Sequence, residues 1–308
     1  MREYPTFSLP PGFLGLEQSK RAADISIAGI PFDIGTTYRS GARFGPQAIR
    51  KASHMLTDGA HPGNWVNPAT LSLVDIGNFH VTLGDIPATL SEIESQASSL
   101  AHLVALGGDH GVTLPLLRAL ARRTGPLALV HFDAHVDTWP DSFGQPYGHG
   151  SVLYHAIEEG LVNCGRVIQI GIRSPVKRTV FDWTVEKGVT IVTAQEVHEQ
   201  GPKAVAERIR SLLGEAASYL TFDIDVLDPA FAPGTGTPEI GGLASWQAQA
   251  IVRRLGGLRF LGMDVVEVAP PYDVSDITAL AAATMVWEYL ALIGAAIRTQ
   301  GRSTQHDG

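Results

Sequence analysis

The sequence predicts an α/β protein built on a parallel sheet that helices cover on both faces. Eight apolar, strand-like runs alternate with segments of helical periodicity along the chain. Strands of parallel sheets are buried on both faces and read as continuous apolar runs, and their alternation with helices is typical of βαβ units. The 308 residues, 44% of them hydrophobic, are ample for one large core. The pattern leaves open whether the sheet is open or closed into a barrel.

The predicted strands are short runs rich in Ile, Val, Leu and Phe, a composition typical of buried strands. In chain order they are Ile25–Phe32, Leu71–Ile76, Leu103–Leu106, Leu127–Phe132, Val167–Ile172, Val189–Val192, Tyr219–Phe222 and Phe260–Val266. Segments with apolar residues at helical spacing lie between most of them. These segments are Pro46–Met55, Ile86–Leu100, Leu114–Arg123, Val152–Glu159, Lys203–Leu213 and Trp246–Leu255.

The last helix is predicted over the apolar segment Ile277–Ile297, which is long enough to raise the question of a membrane span. Glu288 interrupts this segment, and Ala and Thr dominate its first half. Both features favour a buried core helix that is capped near Ser275 or Asp276. We therefore expect no membrane partner.

Composition and length limit the organisation and the partners. We expect a single domain over residues 1–308, since no internal repeat or long linker interrupts the alternation, with residues 1–20 and 299–308 loosely ordered. The net charge of -8 and the pI near 5.7 argue against a nucleic-acid partner. Cys164 is the single cysteine, so an intramolecular disulfide is excluded. With a start that lacks an apolar signal-peptide core, this predicts a cytoplasmic protein.

Residues that can bind a metal follow the predicted strand Leu127–Phe132. Asp133, His135 and Asp137 are spaced i, i+2, i+4 in FDAHVD. Because side chains alternate along a strand, all three point the same way. Taken alone, the triplet is also compatible with a polar loop, but converging carboxylates and imidazoles make a metal site plausible.

A second acidic pair follows another predicted strand, in YLTFDIDVLD. Asp223 and Asp225 lie two residues apart, and buried like charges that close repel one another unless a cation lies between them. The carboxyl ends of parallel strands share one edge of the sheet, where ligands bind. His110, His149 and Glu267 fall at the same edge, although each alone could be an ordinary loop histidine or an exposed charge.

The charges of this predicted site indicate two divalent cations. Four carboxylates carry a charge of −4, which two divalent ions cancel, and His110 and His135 supply one nitrogen each. The donor set is rich in oxygen and lacks thiolate, which suits Mn²⁺ best and also admits Ni²⁺, Co²⁺ or Zn²⁺.

The motifs GGDH, FDAHVD and TFDIDVLDPAFAPGTGTPEIGGL resemble those of the ureohydrolases, the arginase and agmatinase superfamily. The likeness runs from GIPFD near Ile25 to the C-terminal helix and is greatest to bacterial agmatinases. It implies a three-layer αβα sandwich with an open, eight-stranded, mainly parallel sheet. It also implies two Mn²⁺ per chain, a homotrimer or homohexamer, and hydrolysis of a guanidino group to urea and an amine.

The resemblance also implies roles for the metal-binding residues. One ion would be held by His110, Asp133, Asp137 and Asp225. The other would be held by His135 and Asp223 together with Asp133 and Asp225, which would bridge the two ions. The expected ligands are therefore His110, Asp133, His135, Asp137, Asp223 and Asp225.

The remaining carried-over positions concern catalysis and the substrate. Glu267 matches the family glutamate that receives the guanidinium, and His149 matches the histidine assigned to proton transfer. Either His149 or Asp225 is a candidate to protonate the leaving amine. The chain departs from the family pattern at Gly111, at Trp139 and at Ser151–Leu153, all near the substrate rather than the metals.

The expected substrate is agmatine, cleaved to putrescine and urea, because the bulky Trp139 and the acidic Asp141 suit a cationic tail. Guanidino acids (4-guanidinobutyrate or 3-guanidinopropionate) are an alternative if Arg39 or Arg43 reaches into the site. Guanidine or a substituted biguanide is a further alternative substrate. Two alternative interpretations assign the chain to other classes of protein. One is a non-catalytic assembly subunit, a class that usually loses metal ligands. The other is a deacetylase that is built on a related sheet and uses one metal.

Overall fold

The computed structural model describes residues 8–303, with side chains up to residue 298. These residues form eight strands: β1 (Ile25–Gly29), β2 (Leu73–Asn78), β3 (Leu103–Leu106), β4 (Leu127–Phe132), β5 (Val162–Ile172), β6 (Thr190–Thr193), β7 (Ser218–Asp223) and β8 (Phe260–Val266). The strands form one sheet in the order β2-β1-β3-β8-β7-β4-β5-β6. Every adjacent pair is parallel. Since β2 and β6 are the two edges, the sheet is open.

The described part of the chain contains eight α-helices: α1 (Gly45–Ser53), α2 (Ile86–Ala97), α3 (Thr113–Thr124), α4 (Val152–Glu158), α5 (Arg178–Glu186), α6 (Ala194–Leu213), α7 (Ser245–Val252) and α8 (Ile277–Ser303). One apolar cluster joins a face of the sheet to α1, α6, α7 and α8. A second cluster joins the other face to α2, α3 and α4. These two cores confirm the predicted αβα sandwich, because each helix layer buries one face of the sheet.

Strand β5 begins at Val162, five residues before the predicted Val167, and two helices differ more from the sequence-based prediction. Helix α5 is not among the predicted helices, since four of its nine residues are β-branched and weaken the helical signal. Helix α6 begins nine residues before the predicted Lys203. Thr193 and Glu196 form a capping box at its start, and the chain kinks at Gly201 before Pro202.

Part of the N-terminal segment is packed against the rest of the protein. Phe13 and Leu14 are buried, and the backbone amide of Phe13 donates to Asp75 Oδ2 at 2.8 Å. The expected loose ordering of residues 1–20 therefore does not hold for these two residues. At the other end, residues 299–303 continue helix α8, whereas residues 1–7 and 304–308 lie outside the described residues. The single-domain assignment stays a prediction.

The C-terminal helix α8 buries its acidic residue within a polar cluster. Glu288 accepts hydrogen bonds from Arg253 and Gln249 and pairs with His61 at 2.9 Å. By length and composition alone the segment Ile277–Arg298 qualifies as a membrane span, but 61% of its most apolar window is buried inside the protein. The helix is capped by Asp273, which accepts from the amides of Thr278 and Ala279, and not by Ser275 or Asp276.

Candidate metal centre

The expected metal ligands and the expected substrate-binding residue Glu267 lie at the carboxyl ends of four neighbouring strands. β3, β8, β7 and β4 are adjacent in the centre of the sheet, and they lead into His110, Glu267, Asp225 and Asp133 respectively. The turn before His110 crosses the end of β1 closely. A Cβ at Gly108 would lie 1.7 Å from the carbonyl oxygen of Phe32, so only glycine fits there.

The first group of donors surrounds one nitrogen of His110. Its Nδ1 lies 3.1 Å from Asp133 Oδ2, 3.1 Å from Asp137 Oδ2 and 3.2 Å from Asp223 Oδ2. Its Nε2 lies 2.9 Å from the hydroxyl of Thr221. That hydroxyl donates to Asp264 Oδ1 at 2.6 Å, so it must accept the Nε2 proton of His110. Nδ1 therefore presents a lone pair to three carboxylate oxygens.

This arrangement fits a cation. Nδ1 of His110 is buried and has no hydrogen-bond partner among the side chains that the structure describes. A lone pair and three carboxylate oxygens that converge on one point repel one another unless a positive charge lies among them. The pKa of His110 also indicates that positive charge is favoured here. Burial alone lowers this pKa, but the three carboxylates raise it well above its usual value.

The second group of donors surrounds His135. Its Nδ1 lies 3.3 Å from Asp133 Oδ1 and 3.1 Å from Asp225 Oδ2, and these three residues form a second potential metal-binding group. Its Nε2 faces Glu239 Oε1 at 3.8 Å. Asp133 thus contributes one carboxylate oxygen to each group, which is the geometry that a bridging ligand requires.

The structure reverses the expected roles of the two later aspartates. Asp223 lies beside His110, whereas Asp225 lies beside His135. The reason is local: Asp223 ends β7 on the same face as Thr221, which contacts His110, while Asp225 lies in the 3₁₀ turn Ile224–Val226 that follows. Asp225, predicted to belong to both ions, therefore joins only the His135 group in this geometry.

Electrostatics at the centre also favour cations. Burial and the charges of Asp225 and Asp133 raise the pKa of Asp223 well above its usual value. Burial raises the pKa of Asp133 too, but His131, His110 and His135 outweigh it and hold that pKa well below the usual range. Like charges at this separation can remain ionised together only when positive charge is supplied.

Glu267 and His149 meet beside the metal ligands. Glu267 Oε1 accepts from the backbone amide of His110 at 2.8 Å and lies 2.8 Å from His149 Nδ1. Burial alone lowers the pKa of His149, but the Glu267 carboxylate outweighs it and raises the pKa to about 9. His149 Nε2 lies 2.8 Å from the hydroxyl of Thr37.

The other oxygen of Glu267 is free. Oε2 is buried and finds no hydrogen-bond partner within residues 8–298. A Cβ on Gly236 would lie 3.5 Å from it, so the lack of a side chain there leaves the approach open. A buried carboxylate oxygen without a donor is costly unless a ligand satisfies it.

A cleft of about 740 Å³ opens onto the centre. Its walls include His135, Asp137, Trp139, Asp141, His149 and Asp223. This size is in the range of small-molecule sites. The structure therefore brings all nine predicted site residues to one region, with Asp225 and Glu267 buried beneath the cleft.

Sequence reasoning missed four polar residues beneath the ligands. The sheet register pairs His131 with Gln169 and with Thr221, and Thr221 with Asp264. All four side chains are fully buried. One signal was available, since His131 shares the i, i+2 spacing of Asp133 and His135. The other three lie on different strands, whose register the sequence does not give.

The two arginines considered for a substrate carboxylate are engaged elsewhere. Arg43 forms an ion pair with the buried Asp33. Arg39 lies over the rings of Tyr38 and Tyr272, 5.2 Å from each centroid. Lys177 lines the cleft instead, on the loop before α5.

Comparison with known proteins agrees with this geometry. The chain matches the Arginase family model over residues 23–291. It is 46% identical to agmatinase of Neisseria meningitidis serogroup C over 294 residues, which covers 93% of this chain and 92% of that protein. Agmatinase of Cronobacter sakazakii is 46% identical over 274 residues, with 87% of each chain covered.

Two solved structures resemble the fold closely. Proclavaminate amidino hydrolase of Streptomyces clavuligerus superposes with a TM-score of 0.90 at 39% identity, covering 95% of this chain and 100% of that one. A hypothetical agmatinase from Burkholderia thailandensis gives a TM-score of 0.88 at 42% identity, covering 94% and 92%.

Proposed function

Since this chain belongs to the arginase family, we propose that it hydrolyses agmatine to putrescine and urea. The family assignment makes it a metal-dependent amidinohydrolase, and curated agmatinases cover about nine-tenths of its length at 46% identity. The observation in the structure that carries the proposal is the free, buried oxygen of Glu267 beside the cluster of histidines and aspartates.

We propose that two Mn²⁺ ions occupy the centre, with Ni²⁺, Co²⁺ or Zn²⁺ as alternatives. His110, Asp133, Asp137 and Asp223 would hold one, and His135, Asp133 and Asp225 the other. Carboxylates outnumber imidazoles four to two and no thiolate is present, which is the donor chemistry that manganese accepts. When bound, such a pair of ions lowers the pKa of water and makes it a nucleophile at neutral pH.

Glu267 would bind the guanidinium of the substrate. Oε1 is already held by the amide of His110 and by His149, so the carboxylate cannot rotate freely. Oε2 is left to accept charge-assisted hydrogen bonds from guanidinium N–H groups. This fixed position would hold the guanidinium carbon against the metal ligands and orient it for attack.

His149 would deliver the proton to the leaving amine. A pKa raised to about 9 keeps its imidazole protonated near neutral pH, the state that a general acid requires. His149 lines the cleft, whereas Asp225, the alternative donor, is 1% exposed and does not contribute to the cleft wall. The geometry therefore favours His149.

A second candidate function is hydrolysis of a guanidino acid, and Lys177 is the observation that favours it. Lys177 lines the cleft, and its amine forms no ion pair with any residue that the structure describes. A carboxylate tail would be attracted to Lys177 and an amine tail to Asp141 on the same cleft. The Lys177→Ala variant separates the two, because it would lower kcat/KM for 4-guanidinobutyrate but not for agmatine if the lysine reads the tail.

The direct test of the proposed function is to identify the products. The purified chain loaded with Mn²⁺ should release urea and putrescine from agmatine in equal amounts, and chelated protein should release neither. No urea from any guanidino compound, with full metal content, would instead indicate the non-catalytic assembly subunit.

We also propose that the protein is a cytoplasmic homotrimer or homohexamer. The single free cysteine, Cys164, is compatible with a reducing compartment. Light scattering at micromolar concentration should give three or six times the chain mass of 32.9 kDa. A monomer in that measurement would refute the assembly.

A further inference from the structure

A row of four buried polar side chains crosses the sheet directly beneath the metal ligands. In the sheet register Gln169 of β5 lies beside His131 of β4, His131 beside Thr221 of β7, and Thr221 beside Asp264 of β8. Burying a polar group costs free energy unless it is hydrogen-bonded, so each side chain of this row is expected to have a hydrogen-bond partner. Thr221 and Asp264 have a role at His110, because the Thr221 hydroxyl accepts the Nε2 proton of His110 and donates its own proton to Asp264. This role does not account for His131 and Gln169.

His131 has two possible roles at the centre. Its ring lies close enough to His110, Asp133 and Asp137 to count with them as a metal-binding group. Its Nε2 also lies 2.8 Å from Asp133 Oδ2, at hydrogen-bonding distance. A nitrogen can either donate a proton to Asp133 or offer a lone pair to a metal, but not both. The position of its proton therefore decides the role.

Gln169 decides where that proton lies. Its amide nitrogen donates to the carbonyl oxygen of Val136 at 2.6 Å, so the amide cannot be turned round without placing two oxygens against each other. The same nitrogen lies 3.1 Å from His131 Nδ1 and supplies its second N–H there. Nδ1 is consequently the acceptor, and the ring proton is on Nε2, pointing at Asp133.

We propose that His131 is a positioning residue that holds Asp133 through an Nε2–H hydrogen bond, is itself oriented by Gln169, and does not bind the metal. Asp133 is the carboxylate shared by both donor groups. One fixed hydrogen bond to Oδ2 sets the plane of the whole carboxylate and thereby the direction in which both oxygens face. This inference rests on the proposed metal centre, and it concerns metal affinity rather than the choice of substrate.

Two matched variants test the role on the full chain by calorimetric titration of metal-free protein with Mn²⁺. His131→Leu removes the donor, and His131→Gln keeps an N–H at nearly the same reach. Changes in groups that orient metal ligands typically cost 10–100-fold in affinity. We expect His131→Leu to weaken Mn²⁺ binding about 10–100-fold, His131→Gln to stay within about threefold of wild type, and both to bind two ions.

Three outcomes would overturn the proposal. Loss of one ion in both variants would make His131 a ligand. Wild-type affinity in both, with a lowered melting temperature, would make it a packing residue. A wild-type chain that binds no Mn²⁺ would remove the metal centre and this inference together, whereas failure of the variants alone leaves the centre standing.

A spectroscopic measurement covers the case in which His131→Leu does not fold. Electron spin-echo spectra of the Mn²⁺-loaded wild type report directly coordinated imidazole nitrogens. We expect couplings from two histidines, unchanged in Gln169→Leu and in His131→Gln. A third imidazole coupling in the wild type that disappears in His131→Gln would show that His131 binds the metal.

Discussion

His110 Nδ1 and Asp133 Oδ2 lie 3.1 Å apart although their strands, β3 and β4, are separated in the sheet by β8 and β7. Three strand spacings amount to about 14 Å. The gap is closed by the turn after Gly108 and by the segment after β4, which converge above the strands between them. The geometry of the centre therefore depends on this strand order, and the donor groups come together only when the middle of the sheet is correctly folded.

Replacing Asp133 tests the shared ligand. Asp133→Ala removes the carboxylate that contributes to both donor groups and leaves His110 and His135 without their common partner. We expect metal content to fall from two ions per chain to one or none, with urea release lost. Plasma emission spectrometry of the dialysed protein measures the content. Full metal content and full activity in this variant would show that the ligand assignment is wrong.

Replacing Glu267 tests the binding of the guanidinium. Glu267→Gln keeps an oxygen that can accept from the His110 amide and from His149 but removes the charge. Hydrogen bonds to charged groups contribute roughly 1.5–3 kcal/mol, so kcat/KM should fall about 10–100-fold or more. Metal content should stay at the wild-type level. Unchanged kcat/KM with bound metal would exclude Glu267 from substrate binding.

The proton donor is tested through pH. Because the pKa of His149 is raised to about 9, the imidazole is protonated below that pH and loses its proton above it. A general acid gives activity that declines as pH rises through its pKa. We expect kcat to fall on the alkaline side, and His149→Ala to lower kcat about 10²-fold and to abolish that decline.

Metal analysis is the control for this variant, which should retain both ions. An alkaline decline that persists in His149→Ala, together with near wild-type kcat, would assign the proton to another group, with Asp225 the first alternative.

The sequence predicted the sheet and the convergence of the expected ligands at one edge of it because both depend on local patterns. Each of the eight strands contains a short apolar run, and each expected ligand lies within a few residues of the end of such a run. What it could not predict depends on register and on contacts between distant segments. The pairing of His131 with Gln169 and the position of Lys177 in the cleft arise only when separate βα units are assembled.

The sequence also could not predict which histidine Asp223 and Asp225 each face, although the two residues are close together in the chain. Two aspartates at i, i+2 share a face only while the chain remains extended. Here β7 ends at Asp223 and a 3₁₀ turn begins at Ile224, so the two carboxylates turn toward different histidines. The spacing predicted the pair as ligands, but the point at which the strand ends determines which histidine each carboxylate faces.

The central claim is that this metal centre acts on agmatine, and a single panel of urea-release assays tests it most directly. The Mn²⁺-loaded protein is compared on agmatine, arginine, 4-guanidinobutyrate, 3-guanidinopropionate, guanidine and a dimethylbiguanide. We expect the highest kcat/KM for agmatine. A value for any other compound that exceeds it by tenfold, a transition-state preference of about 1.4 kcal/mol, would contradict the assignment of agmatine.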